Sequence, residues 1–485
     1  MSQRSLKDKT VKGVSWSAID TIANYGITFL VGLVLARLLT PEDYGLIGII
    51  TVFVAISNNI VDGGFFNAIV RKQGANDSDF STVFYINLAI SILLTLVLYV
   101  SAPLIASFFQ VKELTPLTRA MSIIVIINAL AIVPKSLLTI KIDFKTQTKV
   151  SVISSTTSGI IGIGMALLGF GAWSLVGQQL SRQILNTVFL WIYNKWVPKL
   201  LFSSRSFREL FGFGWKIMIS NLLDSIWKEI NQVVIGKCYS PTTLGQYTRA
   251  SQFSSIFSTV LTTVIQRVSY PVLCTIQDEK ERMVAAYRRI IKMSMLLSFV
   301  LMIGLAAIAK PMVLVLIGEQ WLPCVPYLQL LCFSMMLYPL QSINLNMLQI
   351  LGRSDIYLYL EIIKKVLAIG PILLGIFVSI YWLLIGNIIV CFISYFLNTA
   401  YSGKELHYSS WAQLNDIKSS FIISITMAFP LWLLSFLPIS SFVILPLQLI
   451  LGSLIVLLLC EKLRLEEYIE LKGVVASYFK KIRCR

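Results

Sequence analysis

Gly212-Phe213-Gly214-Trp215, a long apolar run, and Ser240-Pro241-Thr242-Thr243-Leu244-Gly245, closing at Arg249, form the stretch on which the chain is organised. An earlier copy precedes it. Gly13-Val14-Ser15-Trp16 opens a run of nearly the same length, which ends in Thr40-Pro41-Glu42-Asp43-Tyr44-Gly45 and then Gly48. A proline after a small hydroxyl residue ends one helix and starts the next, and the glycine four residues on opens a new apolar run. A second echo follows in the same order, Trp173-Ser174-Leu175-Val176-Gly177 against Trp382-Leu383-Leu384-Ile385-Gly386. Two ordered echoes predict two related halves, the plan of a transporter built from repeats.

Of 485 residues, 56% are hydrophobic and 13% charged, with a mean hydropathy of +0.77. A soluble domain of this length needs more charge to coat its surface. Apolar runs long enough to cross about 30 Å of hydrocarbon recur throughout. The expected fold is therefore all-α, a polytopic helical membrane protein with about fourteen transmembrane helices. The spans are placed near 16–38, 44–61, 83–109, 117–140, 150–169, 173–193, 213–236, 243–269, 290–317, 327–350, 356–378, 381–401, 418–437 and 441–460. They group as an N-terminal six-helix lobe over 1–199 and a pseudo-symmetric six-helix lobe over 200–404. Two additional helices and a tail fill 405–485.

The net charge of +17 belongs to topology rather than to nucleic acid. Lys and Arg concentrate in alternate connections, from Arg4, Lys7, Lys9 and Lys12, through Arg71 and Lys72, to Lys195, Lys199, Arg205 and Arg208 and beyond. The positive-inside rule then puts both termini in the cytoplasm, and the surplus meets anionic lipid. The basic N-terminus leads into an apolar run too long for a signal peptide, so it is read as a retained first helix. The tail, with Leu463, Tyr468, Ile469, Val475 and Phe479 before Lys480, Lys481, Arg483 and Arg485, has two readings: an amphipathic surface helix or a solvated topology signal.

Seven cysteines are scattered without a C-x-x-C pair and His407 is the only histidine, so no metal centre or cofactor is expected. No P-loop is present. Asp77-Ser78-Asp79 has the form of a sugar-nucleotide transferase metal pair. It sits in a connection with no room for a nucleotide-binding domain, and helix-capping carboxylates are the better reading.

Charge inside the membrane is the functional signal. An ionisable group at the bilayer centre costs about 2.5–3.5 kcal/mol, against about 0.5 kcal/mol recovered per Leu or Ile. The seventh span carries Asp224, Lys228 and Glu229, with Asn221, Asn231 and Gln232 beside them, so it must meet a polar interior. The sixth span sets Gln179, Arg182, Gln183 and Asn186 on one face; the first offers Ser17, Asp20, Asn24 and Thr28; the eleventh has Glu361 with Lys364 and Lys365. The functional reading is a hydrated, cationic cavity lined by Arg182, Lys228, Arg249, Gln179, Asn186, Asn221 and Asn231, with Asp20, Asp224 or Glu361 as ion-coupling groups. The alternatives are local. Arg249, Lys216, Arg267, Lys292 and Lys135 lie near span ends and can snorkel, while Asp224–Lys228 and Glu361–Lys365 can be structural neutralising pairs. Pro134, Pro339 and Pro371 are expected to kink their helices.

Motifs along the chain resemble those of Wzx-type polysaccharide flippases. Asp62-Gly63-Gly64-Phe65, Ala68-Ile69-Val70-Arg71-Lys72 and Phe84-Tyr85-Ile86-Asn87 come first. Gly169-Phe170-Gly171-Ala172-Trp173, Trp196-Val197-Pro198, Ile235-Gly236-Lys237, Arg267-Val268-Ser269-Tyr270-Pro271 and Gly318-Glu319-Gln320-Trp321 follow in order. Within the multidrug/oligosaccharidyl-lipid/polysaccharide flippase superfamily, the chain is most similar to the exopolysaccharide or colanic-acid type branch. The resemblance implies a non-enzymatic carrier of the bacterial inner membrane. Such a carrier turns undecaprenyl-diphosphate-linked oligosaccharide between leaflets by alternating access, coupled to an ion gradient. It also implies a monomer, with a polysaccharide polymerase and glycosyltransferases as partners in the pathway. A drug or small-metabolite exporter of the same superfamily is the first alternative, and a membrane polymerase or ligase the second.

Overall fold

The computed structural model describes residues 3–72, 74–276, 279–470 and 472–473, and every regular element among them is helical. The N-terminal elements are α1 (Gln3–Leu38), α2 (Pro41–Asp62), the short α3 (Phe65–Arg71), α4 (Asp77–Phe109), α5 (Leu114–Ile140), α6 (Phe144–Leu167) and α7 (Ala172–Asn194). The series continues with α8 (Ser204–Cys238), α9 (Pro241–Thr275), α10 (Lys280–Leu316), α11 (Cys324–Met335), α12 (Tyr338–Ile350), α13 (Ser354–Phe377), α14 (Ile380–Leu406), α15 (Ser410–Leu434) and α16 (Ser441–Lys462). The protein is an all-α, polytopic membrane protein whose long helices match the fourteen expected spans. One span is interrupted: Pro339 does not kink a continuous helix but opens α12, one residue after its start, leaving α11 as a separate half. Pro134 and Pro371 lie inside α5 and α13.

The local signals explain the boundaries. Thr40 caps α2, its hydroxyl accepting from the Asp43 amide while the Asp43 carboxylate accepts from the Thr40 amide, and Pro41 occupies the first helical turn. Gly63 and Gly64, both left-handed, end α2 and admit α3. Asn76 and Asp79 form the same reciprocal cap on α4. Asp79 also pairs with Lys72 at 2.9 Å, and Asp77 with Lys199 at 2.6 Å. Both carboxylates of the Asp77-Ser78-Asp79 motif are thus consumed by caps and ion pairs.

By packing, the chain divides into two compact units, Met1–Thr248 and Arg249–Arg485. The expected lobe boundaries at 199/200 and 404/405 follow sequence likeness, whereas this division follows contact. It falls later because α8 lies along α2, α3 and α4, and the opening turn of α9 lies against α2. Within the first unit α4 packs on α5, α6 on both α1 and α7, and α5 on α7. A core of Phe65, Ile69, Val83, Phe84, Val133 and Leu210 ties α3, α4, α5 and α8 together. Within the second unit α13 packs on α14, and α10 is the spine for α11, α15 and α16. The two additional helices are therefore anchored on α10 through Leu296, Ile423 and Cys460. Tyr468 of the tail joins that cluster, and Glu466 and Glu470 pair with Lys292 and Arg289. Val475, Phe479, Lys480, Lys481, Arg483 and Arg485 lie outside the described residues.

The two copies of the Pro…Gly turn meet each other. A methyl added to Gly45 would overlap the carbonyl of Pro241, and one added to Gly245 would overlap the carbonyl of Pro41. The equivalence read from sequence is therefore a reciprocal backbone crossing, which any side chain prevents. Overpacking a close contact costs about 1–3 kcal/mol, more than the up to 1 kcal/mol that replacing a helical glycine recovers. Gly45→Val and Gly245→Val are expected to lower the melting temperature of the purified protein, read by tryptophan fluorescence in detergent. Gly26→Ala, which meets nothing within 4 Å, should melt at or above the parent temperature.

Candidate functional site: a polar seam in the first unit

Small residues allow α1 to lie close on α6. Ser151, Ser155 and Gly159 recur every fourth position, and a methyl on Gly159 would strike the side chain of Val31. Asp20 and Asn24 of α1 meet this stripe. The Asn24 amide donates to Asp20 Oδ1 at 2.8 Å and to Ser151 Oγ at 2.9 Å, and Ser155 Oγ donates to Asn24 Oδ1 at 2.8 Å. Ser151 Oγ donates to the same Asp20 oxygen. One carboxylate, one amide and two hydroxyls thus close a knot between the helices, all half-buried apart from Ser155, which is buried.

On the other side of α6, α7 carries two stripes. One bonds the helix to α5. Gln183 Nε2 donates to Asn128 Oδ1 at 3.0 Å, Thr187 to the Ile127 carbonyl at 3.1 Å, and the Trp191 indole to the Leu130 carbonyl at 2.9 Å. Asn128 passes the connection to Asn58 of α2 at 3.1 Å. The neighbouring stripe is Gln179, Arg182 and Asn186. Arg182 is exposed and lies in the field of Asp20, while Gln179 and Asn186 are half-buried and make no hydrogen bond among the described residues. A guanidinium between two uncommitted amides on one helix face can receive an oxyanion and hydroxyls together.

The stripe expected on α8 divides. Ser225 turns toward α2 and accepts from Asn59 at 2.6 Å, whereas Asp224 and Lys228 are exposed. Glu229 lies in the field of Lys228 and accepts from Gln232. Asn221 and Asn231 are half-buried, Asn231 beside the Tyr247 hydroxyl.

The remaining candidates belong to the second unit. Arg249 is 3% exposed, donates to Gln252 Oε1 at 2.6 Å and lies 5.4 Å from the ring centre of Trp321. Glu361 pairs with Lys364, its i+3 neighbour, with both side chains half-buried or deeper. The structure therefore brings Asp20 and Arg182 together, keeps Gln179 and Asn186 beside Arg182, and leaves Arg249 and Glu361 in separate clusters of their own unit. Asn58, Asn59, Asn128, Ser151 and Ser155 join these networks without belonging to the sequence-predicted set. The adjacent asparagines in the apolar α2 and the lone one midway along α5 were the available signal. Among the described residues no group of three or more His, Cys, Asp or Glu gathers as a metal site.

Comparison with known proteins agrees with this architecture. The chain is 28% identical over 368 residues to the succinoglycan biosynthesis transport protein ExoT of Rhizobium meliloti (strain 1021), covering 76% of this chain and 74% of that one. It is 26% identical over 357 residues to the teichuronic acid biosynthesis protein TuaB of Bacillus subtilis (strain 168), covering 73% and 74%. Among solved structures it shares its fold with a lipid II flippase, MurJ, in an inward closed conformation. The TM-score there is 0.75 at 15% identity, over 93% of this chain and 98% of the other. The sequence model of the family described as "Polysaccharide biosynthesis protein" matches residues 34–326, more than half of the chain. By that match this chain belongs to the polysaccharide biosynthesis protein family.

Proposed function

We propose that the protein is a flippase. It moves oligosaccharide repeat units carried on undecaprenyl diphosphate across the bacterial cytoplasmic membrane, with both termini cytoplasmic, by alternating access driven by an ion gradient. The observation that carries this reading is Arg182, exposed midway along a spanning helix between the uncommitted amides of Gln179 and Asn186. A diphosphate crossing hydrocarbon needs a positive partner close by, and a guanidinium grips phosphate oxygens in pairs. The amides suit the sugar hydroxyls that follow the diphosphate. Lys228, Asn221 and Asn231 on α8 are assigned to the same path. Arg249, covered by Trp321 and Gln252, has no open face for a headgroup, and we assign it to packing instead.

Asp20 is the preferred coupling group. It is the carboxylate nearest in effect to Arg182, so loading it with a cation or proton releases the guanidinium's field toward the substrate. Glu361 is already matched by Lys364, and Asp224 stands exposed on α8. The relatives, a transport protein of succinoglycan biosynthesis and a protein of teichuronic acid biosynthesis, support the reading. A polymerase or ligase is disfavoured because no segment between successive helices exceeds nine residues, the length of 195–203. A drug exporter is disfavoured by the cationic centre. The protein is taken to act as a monomer beside a polymerase and glycosyltransferases.

Hydrogen bonds to charged groups contribute about 1.5–3 kcal/mol. Arg182→Ala is therefore expected to slow export of lipid-linked repeat units by roughly 10- to 100-fold, measured as surface polysaccharide in cells lacking the native protein, with membrane insertion unchanged. Undiminished export would remove Arg182 from the path. Asp20→Asn keeps the hydrogen bonds to Ser151 and Asn24 but carries no proton or cation. Transport in vesicles should lose its dependence on an imposed ion gradient, and a retained dependence would reassign Asp20 to helix packing.

A further inference from the structure

The connection between α7 and α8, residues 195–203, is not helical, yet it carries the most exposed large apolar side chain of the described residues. Leu200 is 94% exposed, with Val197 at 70%, Phe202 at 61% and Leu201 also uncovered. The exposure is imposed by the backbone. Trp196 is held inward against Phe84 and Trp191, with ring centres 5.9 and 6.2 Å away. The Lys199 amide donates to Ser81 Oγ and the Ser203 amide to Thr82 Oγ1, each at 3.0 Å, and the Lys199 ammonium reaches Asp77. With positions 196, 199 and 203 strapped to α4, positions 197 and 200–202 have only the outside left to them.

Two demands then conflict. The backbone amides of Trp196, Val197, Leu200 and Phe202 have no hydrogen-bond acceptor among the described residues, which excludes the segment from the hydrocarbon core, where such groups find no water. Leu200, Val197 and Phe202 gain nothing in water and form a contiguous apolar patch. Only the boundary between headgroups and acyl chains satisfies both, with the backbone hydrated and the side chains immersed. Exposed basic residues bracket the patch, Lys195 and Lys199 within it and Arg205 and Arg208 on the first turn of α8, which complements anionic phospholipid.

We propose that residues 195–203 form an interfacial anchor that inserts Val197, Leu200 and Phe202 among the acyl chains of an anionic leaflet and seats the junction between the two sequence repeats at a fixed depth. The partner is the membrane itself, phosphatidylglycerol in particular, and the anchor is independent of what the protein transports.

The test replaces Leu200 with the photoreactive p-benzoylphenylalanine in the full-length protein, reconstituted alone into vesicles of phosphatidylglycerol or of phosphatidylcholine. Illumination should give phospholipid adducts at position 200, identified by mass spectrometry. The yield should be at least about fivefold higher with phosphatidylglycerol, the gain that one basic side chain near an anionic surface supports. Lys195→Gln with Arg205→Gln and Arg208→Gln should abolish that preference. The same photoreactive residue at Phe429, exposed on the membrane-spanning α15, reports that lipid adducts form at all. Adducts at 429 with none at 200, adducts at 200 to a second copy of the chain, or equal yields in the two lipids would each overturn the proposal.

Discussion

A guanidinium halfway along a bilayer-spanning helix persists only where polar groups meet it, and the first unit is arranged around that requirement. Arg182 has Asp20 as its acidic neighbour, and Asp20 is fixed by Ser151 and Asn24 before it can answer. The small residues on α6 let α1 come close enough for those bonds to form. The other stripe of α7 spends its polar atoms on α5, so the helix cannot rotate to bury Arg182 elsewhere. Orientation of α7 thus follows from ordinary hydrogen bonds, and the exposed arginine is what remains once they are made.

Glycine plays the complementary part for α2. At one end Gly45 crosses Pro241 and Gly245 crosses Pro41; at the other, Gly64 and Gly214 meet backbone to backbone. Between these points Asn59 bonds Ser225. Contacts of this kind leave no side chain to compress, so they are held by dispersion and by exclusion of lipid, and each added carbon must displace main chain. The second repeat begins with α8, yet α8 is drawn onto α2 by these glycines, which is why packing divides the chain at 248/249 and not where the repeat begins.

The helical plan was legible because hydrocarbon thickness sets span length and positive charge marks alternate connections. Fourteen spans, their order and the repetition of the Pro…Gly turn could be read from the sequence, though not that the two copies cross. The break between Met335 and Tyr338 could not, since a proline inside an apolar run signals a kink and a helix start alike. Of the candidate site, the common face of Arg182, Gln179 and Asn186 was legible, because it is a local property of one helix. The knot of Asp20 with Ser151 and the relay Asn58–Asn128–Gln183 were not, because serines and single asparagines acquire meaning only from a partner on another helix. The surroundings of Arg249 were hidden for the same reason. Its charge suggested a wet surface, and only the structure shows Trp321 covering it.

Polarity and span identity are linked in one further way. Nine helical spans among the described residues are apolar enough to cross a membrane on composition alone, whereas α7, α8 and α13 are long enough but too polar. These three carry Arg182, Lys228, Glu229 and Glu361 with the amides beside them. A helix that cannot insert on its own transfer energy must be held by neighbours that insert well, here α5 and α6 for α7, α2 for α8, and α14 for α13. The division of labour is therefore energetic before it is functional. Apolar spans supply the anchoring that lets polar spans keep charged and amide side chains within the bundle. The polar groups of this chain therefore sit in helices held by their neighbours, while its connections stay short among the described residues.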